Sequence, residues 1–546
     1  MPVRLHPFDL GVVGLYLVAI TLFGLRFARR GTARDKSLRG YFLADRTVPW
    51  WAIALSIVSA ETSTLTIIGT PGLAFAGDFG FLQIVLGYML GRIVVATIFL
   101  PRYFQGEMLT AYQLIDRRFG HTLYKVTAGL FLLTRAAAEG VRVFAVSIVV
   151  GIAIGTGDVL SIAIISALTL LYTFEGGMAA VIWTDVVQMA IYVGGTLVAI
   201  WSLGQHVPGG WAQIHTVAAA AGKFHMFNFA LNLTTTYTFW AGVLGGTFLT
   251  MASHGTDQLM VQRMLAAKNL RESRLALLSS GVVIFIQFAL FLLIGAGLFV
   301  FYGGGTNSGA PHTGVPGELV RGGGHLASEM WVHAGDTNRI FPAFIVREMP
   351  TGIAGLLVAA ILAAAMSNLS AALNSLSSTT VVDFYMGFRP AAADRERMIV
   401  SRGSTVLWAL VLFAVAVYAV HTGGKGNVVE LGLSIASVAY GCLLGVFLLG
   451  TLTRYATQTG AIIGMITGFA LNLWLWQGSF PKIILWKPGF DAARTLPNGH
   501  IVHDAVVPGL AIPHIAWTWY VLIGALVTFA VGSLASLVLP KPRTRG

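Results

Sequence analysis

Apolar stretches of about twenty residues, the length at which a helix crosses a bilayer, follow one another along nearly the whole chain. They lie at 8–28, 48–73, 80–100, 122–154, 158–174, 179–204, 237–256, 275–302, 352–385, 399–420, 428–452, 457–475 and 516–538. In hydrocarbon a segment must satisfy its backbone internally, which a helix does. The pattern predicts an all-α polytopic membrane protein with about thirteen transmembrane helices. Charge is scarce to match. Only 11% of the 546 residues are charged and 56% are hydrophobic, whereas a soluble domain carries roughly 25% charged residues.

The net charge of +12 does not point to nucleic acid, because the Lys and Arg sit in short segments between apolar runs. That is the pattern of cytoplasmic loops. Arg26, Arg29, Arg30, Arg34, Lys36 and Arg39 after the first segment place that loop inside. An odd number of crossings then puts the N-terminus outside and the C-terminus inside, as in a plasma-membrane protein. Arg102, Arg117 and Arg118 agree, as do Arg263, Lys268, Arg271 and Arg274, then Arg389, Arg395 and Arg397, and Lys541, Arg543 and Arg545 in the tail. The segments 303–350 and 476–515 fall outside. The first of these carries His312, His325 and His333 at spacings that match no metal-ligand motif. The first apolar stretch lacks a small-residue cleavage site and is expected to stay as a helix. The single cysteine, Cys442, excludes an intramolecular disulfide and a cysteine metal cluster. No fused soluble domain is expected, which argues against a sensor kinase.

Polar clusters inside the spans mark the functional region, because polar groups in a membrane are costly. The segment 48–73 holds Ser56, Ser59, Glu61, Thr62, Ser63, Thr64 and Thr66, then Gly69, Pro71 and Gly72. Such hydroxyls support a locally unwound helix, and freed carbonyls suit a small hard cation. The segment 237–256 holds Gly245, Gly246, Thr247, Thr250, Ser253, His254 and Gly255, followed by Thr256-Asp257-Gln258, and suggests a second, glycine-interrupted helix. In 352–385, Ser367, Ser370 and Asn374 share one helix face near Asn368, an oxygen set suited to Na⁺. The fourth cluster is Arg135, Glu139 and Arg142 with Asp185 on a later span; Glu139 and Arg142, one turn apart, could neutralise each other. The two broken spans are the second and seventh. They cross in opposite directions, as in an inverted repeat of five plus five helices. The halves would be 48–204 and 237–452, with one helix before and two after.

These residues resemble the sodium:solute symporter family. The resemblance runs through Val48-Pro49-Trp50-Trp51, Ser59-Ala60-Glu61-Thr62-Ser63 and Gly69-Thr70-Pro71-Gly72. It continues in Glu175-Gly176-Gly177, Trp183-Thr184-Asp185-Val186-Val187-Gln188 and Gly255-Thr256-Asp257-Gln258, with Val261-Gln262-Arg263. It ends in Met366-Ser367-Asn368, Asn374-Ser375 and Asp383-Phe384-Tyr385. It implies a LeuT-like fold and alternating access driven by sodium. It also implies a main Na⁺ site built from the carbonyls of Ser59, Thr62 and Ala364 and the side chains of Ser367 and Asn368. Asn368 stands where the family usually has Ser or Thr. A second Na⁺ site would use Asp185 with Ser370, although Ala371 removes one hydroxyl of that set.

The substrate region implied by the resemblance comprises Glu61, Thr66, Arg135, Arg142, Thr250, Ser253 and His254. Glu61 would assist the cation or pair with Arg135 or Arg142. Thr66 and Thr250 stand where sugar cotransporters use amides, and Ser253 where they use a gating tyrosine. An arginine near position 135 matches carboxylate binders and suits a carboxylate through paired, charge-assisted hydrogen bonds. The expectation is therefore sodium-coupled symport of a small organic solute, leaning to a carboxylate. A sugar or polyol symporter, and a proton-coupled or uncoupled carrier, are the alternatives. An enzyme is not expected, since no nucleophile–base motif is present.

Overall fold

A computed structural model describes residues 5–30, 38–154, 158–302, 337–422, 428–479, 494–495, 501–502 and 515–539. His312, His325 and His333 lie outside these residues. Each apolar segment folds as a helix. α1 is Pro7–Arg30, α2 Trp50–Glu61, α3 Thr64–Ala76, α4 Leu82–Tyr103 and α5 His121–Ile154. α6 is Asp158–His206, α7 Gly246–Gly255, α8 Gln258–Leu265 and α9 Leu270–Phe301. α10 is Ile353–Thr379, α11 Asp394–Thr422, α12 Val428–Leu452, α13 Gln458–Ser479 and α14 Tyr520–Val538. Among the described residues nine helices are long and apolar enough to cross a membrane, or ten when α2 and α3 count as one bent span. The other three segments lie in α5, in the shorter apolar helix Val159–Leu171 and in the ten-residue α7.

The Ile353–Phe388 span is central, with 94% of its most apolar window buried in the protein. It packs along α6, and both receive α1. α12, α13 and α14 pack on one another. Outward faces carry exposed leucines such as Leu15, Leu133, Leu410 and Leu534, the surface a lipid-facing helix needs.

Two breaks shape the centre. α2 and α3 meet at 63° across Thr62 and Ser63, both in extended conformation. Ser63 caps α3 in a reciprocal box with Thr66, which lets the helix restart after the bend. The second break falls at the end of the expected glycine-rich run and not at its first glycines. Gly245 and Gly246 do not interrupt a helix; the chain runs through them from a π-turn at Ala241–Gly245 into α7. These glycines serve close packing instead. A Cβ on Gly246 would lie 2.3 Å from the Ile84 carbonyl of α4, and one on Gly87 2.5 Å from the Gly242 carbonyl. Small residues allow such approach between membrane helices. The interruption falls at Thr256–Asp257, where Asp257 caps α8 through the Leu259 amide.

α6 turns at Gly177, whose φ of 54° and ψ of −152° are accessible essentially to glycine alone. A Cβ there would lie 2.6 Å from the Tyr41 carbonyl. Gly177→Ala should therefore destabilise the protein by about 3 kcal/mol, seen as a lower unfolding temperature in detergent. An unchanged temperature would show that the turn can relax.

Candidate functional site

The bend at Thr62–Ser63 frees two carbonyls. In a continuous helix the Ser63 amide would bond the Ser59 carbonyl, but it points to the Thr66 hydroxyl at 3.3 Å. The Thr66 amide, which would bond Thr62, goes to the Ser63 carbonyl at 2.9 Å. Ser59 and Thr62 are thus carbonyl donors without their helical partners, in a fully buried position. α10 passes beside them. The Ser59 and Ser367 hydroxyls meet at 2.8 Å, while Ala364 lies one turn before Asn368 on the same buried helix.

A buried ion pair adjoins this pair of helices. Asp185 Oδ1 accepts from the Ser367 hydroxyl at 2.6 Å, and Oδ2 accepts from Ser56 at 2.5 Å and from Arg263 at 3.0 Å. Both charged side chains are fully buried. Arg263 is thus no loop charge: it completes its contacts on Ser56 and on the Leu259 carbonyl. Ser370 turns to the Ser367 carbonyl at 2.9 Å and does not reach Asp185 by a hydrogen bond. The carboxylate expected to serve a second sodium therefore already has a guanidinium and two hydroxyls as donors.

Two side chains missed by sequence reasoning complete the surroundings. Gln287 of α9 donates its Nε2 to the Thr62 hydroxyl at 2.8 Å. The one proton of Thr62 goes to the Val58 carbonyl, so Thr62 can only accept from Gln287. This fixes the amide orientation and leaves the buried Gln287 Oε1 unpartnered. The buried Tyr192 hydroxyl also faces this region, with the Thr62 and Ser59 side chains as its polar neighbours. An unpaired buried oxygen such as Gln287 Oε1 is costly, and both residues carry oxygens a cation could use. An amide within the otherwise apolar segment 275–302 was the available signal for Gln287.

Next to this region lies a cavity of about 90 Å³. Glu61, Thr66, Arg135, Arg142, Thr250, Ser253 and His254 all line it, with Phe81, Tyr88, Phe288 and Tyr440 as aromatic walls. Glu61 pairs with neither cavity arginine. It forms a salt bridge with Arg92 of α4, fully buried, and lies 3.7 Å from His254. Only the fold brings Arg92 to Glu61, from a helix that no local signal joins to it. Arg135 is held at 3.3 Å by Glu139, by Asp257 and by the Tyr440 hydroxyl. Arg142 donates to Glu139 at 2.5 Å and to Asn368 at 3.0 Å. Both arginines thus face the cavity, each restrained by acidic neighbours. Four arginines meet four carboxylates in this core: Arg92, Arg135, Arg142 and Arg263 with Glu61, Glu139, Asp185 and Asp257.

Residues 41–468 match the family model described as the sodium:solute symporter family. The chain belongs to the sodium:solute symporter family. It is 26% identical over 550 residues to the sodium-coupled monocarboxylate transporter 2 of Mus musculus, covering 97% of this chain and 83% of that one. It is also 26% identical over 483 residues to the sodium/sialic acid symporter SiaT of Proteus mirabilis, covering 87% and 91%. A solved structure of a Na⁺-coupled sialic acid symporter superposes with a TM-score of 0.78 at 24% identity, over 98% of this chain and 99% of that one. The fold is thus the LeuT-like fold of sodium symporters. This member of the sodium:solute symporter family is a multi-pass membrane protein that couples the movement of Na⁺ to symport of a small organic solute.

Proposed function

We propose that the solute is a short-chain carboxylate, bound between Arg135 and Arg142, and that Na⁺ binds between α2 and α10. The observation that carries this reading is the meeting of two guanidiniums at one small cavity. Arg142 keeps 21% of its side chain exposed while its partner Glu139 is buried. At about 90 Å³ the cavity is smaller than the 150 Å³ that holds a benzene molecule, which favours an acid of a few carbons over a hexose. Thr66 and Thr250 offer hydroxyls to an uncharged sugar or polyol but give it no counter-charge. Ser59, Thr62, Ala364 and Ser367 supply the oxygens for sodium, with Asn368 beside them. Asp185 and Ser370 would hold a second ion only if Arg263 gave way. The segments 48–204 and 237–452, each opening on a bent or interrupted helix, act as the two halves of an inverted repeat. The Arg-rich loops support an N-terminus outside and a C-terminus inside. No enzymatic step belongs to this reading.

The test is uptake in proteoliposomes under an inward sodium gradient, with labelled acetate, propionate, lactate, pyruvate, glucose and mannitol. Accumulation of a carboxylate that collapses when K⁺ replaces Na⁺ is the expected result. Accumulation of glucose or mannitol alone would overturn the carboxylate assignment, and uptake driven by pH without sodium would overturn the ion site. Ser367→Ala removes one candidate ligand and a hydrogen bond to Asp185. Its half-saturating sodium concentration should rise about tenfold, the equivalent of about 1.4 kcal/mol. Unchanged sodium dependence would remove Ser367 from the site.

A further inference from the structure

Arg142 joins the solute cavity to the helix that carries Ser367. Its Nη1 donates both to Glu139 and to the Asn368 amide oxygen. Asn368 is buried, and its Nδ2 has no acceptor. The guanidinium is thus the group that sets which end of this amide carries the oxygen. A sodium ion on the same oxygen would sit against the guanidinium charge, and like charges repel strongly where water is scarce. The two occupants exclude one another. A carboxylate in the cavity is a stronger acceptor for Arg142 than a neutral amide, because hydrogen bonds between ionised partners are roughly twice as strong.

We infer that the Arg142–Asn368 hydrogen bond is a latch coupling solute to sodium. With the cavity empty, Arg142 keeps the Asn368 oxygen from the ion. A solute carboxylate draws the guanidinium into the cavity and releases that oxygen to Na⁺. Linkage makes the effect reciprocal: sodium on Asn368 sends Arg142 towards the cavity and tightens the solute. The inference rests on the carboxylate reading above. It also gives the unusual residue a purpose. A serine or threonine hydroxyl ends one bond nearer the α10 backbone than the amide oxygen that Arg142 holds at 3.0 Å.

The experiment is ²²Na⁺ binding to the purified full-length protein, first without solute. Arg142→Met removes the donor, and Glu139 keeps Arg135 as its partner. Solute-free sodium binding should tighten by about tenfold, the scale of one hydrogen bond to a charged group. Asn368→Ser provides a second route, since Arg142→Met should then have no added effect. Saturating propionate should tighten sodium binding in the unmodified protein and leave Asn368→Ser unchanged. Unchanged or weaker solute-free binding in Arg142→Met would overturn the latch. Tightening in Arg142→Met, together with no response of the unmodified protein to propionate, lactate or pyruvate, would support the hold of Arg142 on the sodium site and overturn the carboxylate as its release. Sodium binding that survives Ser367→Ala intact would show that the ion site itself lies elsewhere and would remove the latch with it.

Discussion

Arg263→Met should yield little folded protein. The substitution keeps most of the side-chain volume but leaves the Asp185 carboxylate, fully buried, with only the Ser56 and Ser367 hydroxyls as donors. Removing one partner of a buried ion pair costs about 3–5 kcal/mol, because the remaining charge is left in a medium that solvates it poorly. That is comparable with much of the stability of a typical domain. Monodispersity after detergent extraction and the unfolding temperature would both fall. The companion variant Asp185→Asn/Arg263→Met carries no unpaired charge and should recover most of the loss, since replacing a buried pair as a unit is often nearly neutral. A single variant as stable as the unmodified protein, or a double variant no better than the single, would show that the two residues do not act as a pair.

Arg135→Gln should affect transport more than folding. Glu139 keeps Arg142, and Asp257 loses its cation but keeps the Tyr440 hydroxyl at 2.5 Å and the Leu259 amide at 2.9 Å, with the introduced side-chain amide as a further donor, so the loss of stability is smaller than in Arg263→Met. A carboxylate, however, loses a charged donor whose hydrogen bonds are worth about 1.5–3 kcal/mol each. Carboxylate uptake, measured as kcat/KM, should fall about a hundredfold, while solute-free sodium binding stays within about twofold. Equal losses for anionic and neutral solutes would count against an anion at this position, and a parallel loss of sodium binding would make Arg135 a support for the whole core.

How far the residues announced this arrangement depended on whether a signal is local. The bend at Thr62–Ser63 was legible because its cause lies within a few residues: Ser63 and Thr66 form the cap that restarts the helix, and Glu61 ends the first half. The interruption at Thr256–Asp257 follows Gly255, and the polar glycine-rich run did not say which of its glycines it would sit beside. Glycines weaken a helix and also allow close packing, and only the presence of α4 against Gly242 and Gly246 decides between the two uses. Polar side chains on apolar spans marked the region, and the family resemblance selected the seven cavity residues among them. Their partners could not. Arg92 lies 31 residues from Glu61, and Arg263 lies 78 from Asp185. Nothing in either local sequence specifies the pairing, and Arg263 looked like one more basic residue of a cytoplasmic loop. Gln287 gave a faint cue as an amide in an apolar helix. Its role depends on the single proton of Thr62, which only the fold makes countable.

The balance of charge in the core has an electrical consequence. Four arginines and four carboxylates move, if they move, as a neutral set. A membrane potential therefore does no net work on these eight groups when the carrier reorients without cargo, although each unbalanced charge would contribute about 2.3 kcal/mol per 100 mV. Voltage enters with what is carried. One sodium travelling with one monoanion would cross without sensing the field, and any further sodium would be the first charge on which the potential could act.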